Sequence, residues 1–252
     1  MLHYYRRGRG PTLILQHGFL GGGRYWAPQV DALCAAFDVI VPDLPGFAGS
    51  AAEPARSSIR GHAEALIELL DRLGIGQFHL LGHSMGGMVA QQLALDWPHR
   101  VDRLLLYGTA SSGRLGDRFE SFEESIDRID RLGVEACAAY VGATWLVGGA
   151  ASPHYSLCLE SACGTQKHAA VSALDAISHW SVSDRLNELH TPTLVICGDR
   201  DRSVAPRHAF ELQRAIREAE LCILPGCAHC AHLDAPDLFN GVVRRFLNAE
   251  RG

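Results

Sequence analysis

The sequence predicts an α/β protein: a mostly parallel, doubly wound sheet with a block of helices inserted between its two halves. Short apolar runs alternate with amphipathic stretches along the 252-residue chain, the pattern of parallel strands whose crossover helices cover both sheet faces. The alternation stops from about Ser111 to Trp180, where helical patterns follow one another and no strand pattern returns before Thr193. Apolar residues make up 47% of the chain and charged ones 20%, enough to bury one large core and too little charge for a disordered chain.

Strand patterns fall at residues 12–16, 38–41, 78–81, 101–107, 193–197 and 221–224, and residues 2–6 can add an edge strand. Ahead of the 78–81 run, Ala63, Leu66, Ile67 and Leu70 fall at i, i+3, i+4 and i+7, one face of a helix that Gly74 can end. Met85, Val89 and Leu93 form a helical stripe directly behind that run. Near the C-terminus, Leu238, Phe239, Val242, Val243, Phe246 and Leu247 repeat with helical period after Pro236, a residue suited to a first helical turn. These elements divide the chain into a core, residues 1–110 and 185–252, and a helical cap, residues 111–184. No repeat, low-complexity tract or Pro/Ser-rich linker interrupts it, so the cap is expected to pack on the core.

Lys plus Arg 23 against Asp plus Glu 28 gives a net charge of −5, and no window carries a basic run. Nucleic acid and membrane surfaces are therefore not expected partners, and a small-molecule substrate is. No stretch approaches the roughly 18 continuous apolar residues of a membrane span. The N-terminal residues run into a strand pattern without a signal-peptide core, so a cytoplasmic location is expected. The eight cysteines are scattered through a chain with ample core and read as reduced, mostly buried thiols. Nothing in the composition fixes an oligomeric state.

The chemistry concentrates in three places. At Gly82-x-Ser84-x-Gly86, an apolar strand turns at once into a helix. Such a corner holds its central residue in a strained backbone, excludes side chains at its flanks, and lifts the Ser hydroxyl above the sheet at a helix N-terminus. The loop from His17 to Gly23 is glycine-rich and also follows a strand, so the N–H groups of Phe19 and Met85 can pair as an oxyanion hole. A serine at neutral pH needs an imidazole to take its proton and a carboxylate to orient that imidazole. Residues 224–236 (LPGCAHCAHLDAP), between the last strand and last helix, offer His229 and His232, and Gly198-Asp199-Arg200-Asp201 closes the preceding strand. The chain order is then Ser84, acid, His. His83 and His99 read as packing or surface residues. Cys227, His229, Cys230 and His232 have spacings that metal sites use, but the cluster stands alone and its central His is needed as base, so no metal is expected.

The chain resembles the α/β-hydrolase fold superfamily over nearly its whole length. The matching pieces are residues 17–19 (HGF), 43–50 (DLPGFAGS), 82–87 (GHSMGG), 198–201 (GDRD), and His229 with Pro236 following. The resemblance implies Ser84 as nucleophile, His229 in preference to His232 as base, and Asp201 in preference to Asp199 as acid. It implies a cofactor-free serine hydrolase cleaving a small or medium carboxylic ester, lactone or thioester through an acyl-enzyme. Relatives that use an Asp nucleophile are set aside by Ser84. Relatives that cleave carbon–carbon bonds in ring-fission products commonly carry Trp after the catalytic His and an Arg in the cap; here Cys230 follows His229, and no Arg occurs from Leu132 to Asp184. That activity is the alternative, and a ligand receptor that keeps the triad is an alternative of another class. Tyr140, Trp145 and Trp180 are expected to roof the nucleophile, and the stretch without Arg leads to an expected preference for neutral acyl groups, unless Arg114, Arg118, Arg128 or Arg131 ahead of it folds back toward the pocket.

Overall fold

In the computed structural model, which describes residues 1–249, each of these apolar runs forms a strand. β1 (Tyr4–Arg7), β2 (Thr12–Gln16), β3 (Asp38–Pro42), β4 (Phe78–His83), β5 (Val101–Tyr107), β6 (Thr193–Gly198) and β7 (Glu220–Leu224) make one sheet in the order β1-β3-β2-β4-β5-β6-β7. β1 runs antiparallel to β3, and every other neighbouring pair is parallel. The helices are α1 (Ala27–Leu33), α2 (Ile59–Arg72), α3 (Met85–Asp96), α4 (Phe122–Leu132), α5 (Val134–Thr144), α6 (Tyr155–Ala162), α7 (Lys167–His179), α8 (Pro206–Ala215), α9 (Ala231–Asp234) and α10 (Pro236–Leu247).

The strands read as continuous apolar runs because both their faces are buried. Ile14, Ile40, Leu80, Leu104 and Val195 pack with α2, α3 and α8, while Leu13, Val39, Leu81, Leu105 and Ile196 pack with α1 and α10. Each such side chain contributes about 1.5–3 kcal/mol on burial, so the two faces anchor the sheet independently. α2 begins where the Ser58 hydroxyl accepts a hydrogen bond from Gly61 N–H at 3.0 Å, a cap stabilising a helix by about 1 kcal/mol.

The edge strand is displaced from its expected place at residues 2–6. Leu2 is buried against Ala65 and Leu69 of α2, and the His3 N–H donates to Ser50 Oγ at 2.9 Å, so strand pairing starts only at Tyr4 opposite Pro42. Arg6 makes two bonds to Asp38, at 3.0 and 2.7 Å. Charged side chains of this kind keep an exposed edge from pairing with other chains.

From β5 the chain leaves the sheet through α4, α5, α6 and α7 before returning as β6. The two ends of this excursion meet in a neck: Val182 N–H donates to Ser111 O at 2.8 Å and Gly113 N–H to Trp180 O at 3.0 Å. Hydrogen bonds from Cys230 N–H to Trp145 O (2.7 Å) and from Gln166 N–H to Gly46 O (3.3 Å), with the Arg24–Glu160 ion pair at 2.6 Å, fix it over the loops at the carboxyl ends of the strands. All eight cysteines are free thiols, five of them buried. No helix among the described residues is long and apolar enough to cross a membrane.

Candidate active site

β4 ends at His83, α3 begins at Met85, and Ser84 forms the corner between them with φ 56° and ψ −119°. A non-glycine residue in this region is strained by about 1–3 kcal/mol. Two close approaches explain its flanks: a Cβ on Gly82 would lie 2.3 Å from Gly86 O, and one on Gly86 would lie 2.4 Å from His17 O. Backbone bonds hold the corner, with Ser84 N–H on Tyr107 O at 2.9 Å and the Thr109 hydroxyl on Ser84 O at 2.8 Å.

The loop after β2 passes directly over this corner, where a Cβ on Gly18 would come 2.8 Å from Ser84 Cβ. His17 fastens it: Nδ1 donates to Gly18 O and Nε2 accepts from Leu44 N–H, both at 2.8 Å. Burial lowers the pKa of this imidazole and keeps it neutral. Among the described residues, no hydrogen bond engages the N–H groups of Phe19 and Met85, and the second belongs to the exposed donor end of α3.

Asp201 and His229 form a buried pair, Nδ1 to Oδ2 at 2.7 Å. The other carboxylate oxygen, Oδ1, accepts from the N–H groups of Ser203 at 2.8 Å and Val204 at 2.9 Å, so the acid is fixed from both ends. Asp199 is exposed and instead accepts from Cys227 N–H at 3.1 Å. Ser84 and His229 line one cavity, without a hydrogen bond between them among those of the described residues. A base commonly closes on its nucleophile only when substrate is present.

Behind His229 lies a network that sequence reasoning missed. A carbonyl only accepts, so His83 Nε2 must donate to His229 O at 3.0 Å. Burial first, then the neighbouring His229, holds the His83 pKa well below the usual range, so the ring is neutral and its Nδ1 is an acceptor. Tyr25 must then donate to that Nδ1 at 3.0 Å while accepting from Gly18 N–H at 3.0 Å. One directed chain therefore joins the glycine loop, the serine corner and His229. The Tyr107 hydroxyl donates to the same His229 carbonyl at 2.7 Å. His232, its pKa also lowered by burial, contacts Tyr107 through Nδ1 at 3.1 Å and is not at the cavity. Tyr25→Phe leaves two buried polar groups unpaired, so we expect a stability loss of about 1–3 kcal/mol. With it we expect a fall in kcat of about tenfold or more at nearly constant KM, because a loosened donor pair is felt most in the transition state. Steady-state kinetics below the melting transition would check this, and a KM effect alone would refute it.

The cavity occupies about 60 Å³ between the strand ends and the helical excursion. Phe19, Met85, Met88, Leu115, Phe119, Val141, Trp145, Ile177 and Val204 give it apolar walls, and Arg118 and Ser203 add polar groups. Of the three aromatic residues expected over the nucleophile, only Trp145 is there. Tyr140 is 47% exposed, with the Arg128 guanidinium 3.7 Å above its ring. Positions five apart on a helix diverge by about 140°, so Tyr140 cannot share the face of Trp145. Trp180 is buried in the neck, its Nε1 donating to Gln92 Oε1 at 2.9 Å. Of the four arginines directly ahead of the Arg-free stretch, Arg118 reaches the wall, so the cavity has a fixed cation. Among the described residues, no group of three or more His, Cys, Asp or Glu side chains is placed to hold a metal.

A corner serine under a donor loop, a buried His–Asp pair on the next loops, and helices inserted after β5 together define an α/β hydrolase. The family profile described as alpha/beta hydrolase fold matches residues 11–131, and relatives at 30% identity extend the match to both ends; the chain belongs to the α/β-hydrolase fold family. It is 30% identical to a Rhizobium rhizogenes protein named "Putative carbamate hydrolase RutD", covering 98% of this chain and 97% of the relative. A 2-hydroxy-6-oxo-6-phenylhexa-2,4-dienoate hydrolase of Comamonas testosteroni is also 30% identical, over 98% of this chain and 91% of its own. The crystal structure of the enol-lactonase from Burkholderia xenovorans superposes with a TM-score of 0.89 at 26% identity, covering 98% of this chain and 96% of that one.

Proposed function

We propose that this hydrolase is a cofactor-free serine hydrolase that cleaves a small carboxylic ester, lactone or thioester through an acyl-enzyme. The observation that carries the reading is the strained Ser84 facing one cavity with His229, whose Nδ1 is held 2.7 Å from a buried carboxylate. With Asp201 on Nδ1, the neutral ring presents a bare Nε2 to the cavity. His229 takes the serine proton as Ser84 Oγ attacks the carbonyl carbon, and the N–H groups of Phe19 and Met85 receive the oxyanion. The imidazolium then protonates the leaving group, and the same ring activates water to release the acid. Residues 111–184 act as a cap that excludes bulk water from this chemistry. The name of the Rhizobium relative adds carbamates to the acyl compounds worth testing.

A carbon–carbon hydrolase using the same triad is the second reading, favoured by the Comamonas relative. A cavity of 60 Å³ is far below the roughly 300–1,000 Å³ of sites that take drug-sized ligands, and this weighs against a phenyl-bearing substrate. A fluorophosphonate probe followed by peptide mass spectrometry tests the nucleophile, with an ester, lactone and thioester panel run beside it. Labelling at Ser84 with turnover of at least one acyl class is expected. Labelling elsewhere, or none, would refute the proposal.

A further inference from the structure

Arg118 is the one residue with a permanent charge among those lining the Ser84 cavity. Its surroundings leave that charge unmet. Nε donates to the backbone carbonyl of Glu120 at 2.9 Å, and the guanidinium carbon lies 4.2 Å from the centre of the Phe122 ring. Among the described residues, no carboxylate forms an ion pair with it. The Glu120 carboxylate is engaged by Arg128, whose Nε and Nη2 reach Oε1 at 3.1 and 2.7 Å. Asp117, its neighbour in sequence, is held by Arg207 at 2.8 Å and His208 at 3.0 Å. Arg118 is partly buried, and burial lowers the pKa of its guanidinium, opposed by the charge of Glu120. A stacked, partly buried guanidinium with free Nη donors presents a planar fork that matches a carboxylate.

A second, independent observation lies on the same wall. Ser203 lines the cavity, and its buried hydroxyl has no hydrogen-bond partner among the described residues. Its backbone N–H is already committed to Asp201, so its side chain remains a spare donor in a wall that is otherwise apolar. The cavity volume of about 60 Å³ suits a short acyl chain better than a drug-sized ligand.

We propose that the substrate carries a carboxylate on its acyl side, and that Arg118 and the Ser203 hydroxyl seat it while Ser84 attacks the acyl carbon. This rests on the serine-hydrolase reading above and narrows it to short monoesters of dicarboxylic acids or thioesters of the same shape. It reverses the neutral preference that the Arg-free stretch from Leu132 to Asp184 suggests.

Monomethyl succinate and methyl butyrate differ mainly in the terminal charge, so the ratio of their kcat/KM values reads the selectivity directly. We expect the wild-type enzyme to favour the anion by about 10- to 100-fold, the range of a charge-assisted hydrogen-bond pair. In Arg118→Met, which keeps an unbranched apolar side chain but removes the guanidinium, the ratio should fall to near one, chiefly through KM for the anion. Arg118→Lys should restore part of it. Fluorophosphonate labelling of Ser84 is measured on each protein in parallel. A labelled, ester-cleaving wild type that prefers the neutral ester, or a ratio unmoved by Arg118→Met, would overturn this inference alone. Absence of both labelling and turnover in the wild type would overturn the serine-hydrolase reading, and this one with it.

Discussion

Ser84→Ala should lower kcat by about 10⁴- to 10⁶-fold while leaving the melting temperature unchanged or raised. The loss is large because attack by the hydroxyl, proton transfer to His229 and the acyl-enzyme are one unit, and removing the nucleophile disables all of it. What survives over water is the part supplied by the oxyanion donors and by binding. The stability side follows from the corner itself. Ser84 sits at φ 56°, and the substitution neither relieves that backbone strain nor removes a bond, since the corner is held by the backbone groups of Ser84, Tyr107 and the Thr109 hydroxyl. A fold-preserving loss of activity, read by circular dichroism beside the ester assay, is the expected result. Retention of even a tenth of wild-type turnover would remove Ser84 from the mechanism.

What the sequence made readable follows from how local each signal is. The parallel strands were legible because burial on both faces makes runs such as Leu13, Ile14 and Leu15 continuously apolar. The displaced edge strand was not, because Leu2 and His3 are drawn away by Leu69 and Ser50, which lie more than forty residues on. The serine corner was legible because its motif is contiguous in sequence, and one of its glycines is demanded locally, Gly82 against Gly86, although Gly86 itself is demanded by His17 O. The Tyr25–His83 link was not, since its partners are 58 residues apart and meet only across the finished sheet. A buried polar residue inside the corner motif was the available signal: His83 sits at the buried end of β4, where an unpaired imidazole would be costly. Tyr140 was misjudged for a different reason. Composition put aromatics in the cap, but helical rotation decides which of them face inward, and the i, i+4 relation of Val141 to Trp145 was the better guide. Four arginines, Arg114, Arg118, Arg128 and Arg131, directly precede the Arg-free stretch, and only the finished fold decides that Arg118 is the one lining the Ser84 cavity.

The sharpest test of the acid compares two aspartates two residues apart. Asp201→Asn should lower kcat by about 10⁴-fold, and the hydrogen bonds of its carboxylate say why. One oxygen accepts from two backbone N–H groups, those of Ser203 and Val204, and the other faces His229 Nδ1. An asparagine has one oxygen and one NH₂ to divide between these positions. Turning the NH₂ toward two N–H groups would set donors against donors, so the amide oxygen stays with the backbone and the NH₂ points at Nδ1. That arrangement stabilises the tautomer with a bare Nδ1 and a protonated Nε2, which cannot take the serine proton. Asp199→Asn keeps an oxygen for its single contact with Cys227 N–H at an exposed position, so it should cost at most about 1 kcal/mol of stability and leave kcat within a few-fold. Measuring kcat and thermal stability for the pair separates the roles: if Asp199→Asn loses activity by orders of magnitude while Asp201→Asn retains most of it, the orienting carboxylate is Asp199 and the buried pair is structural.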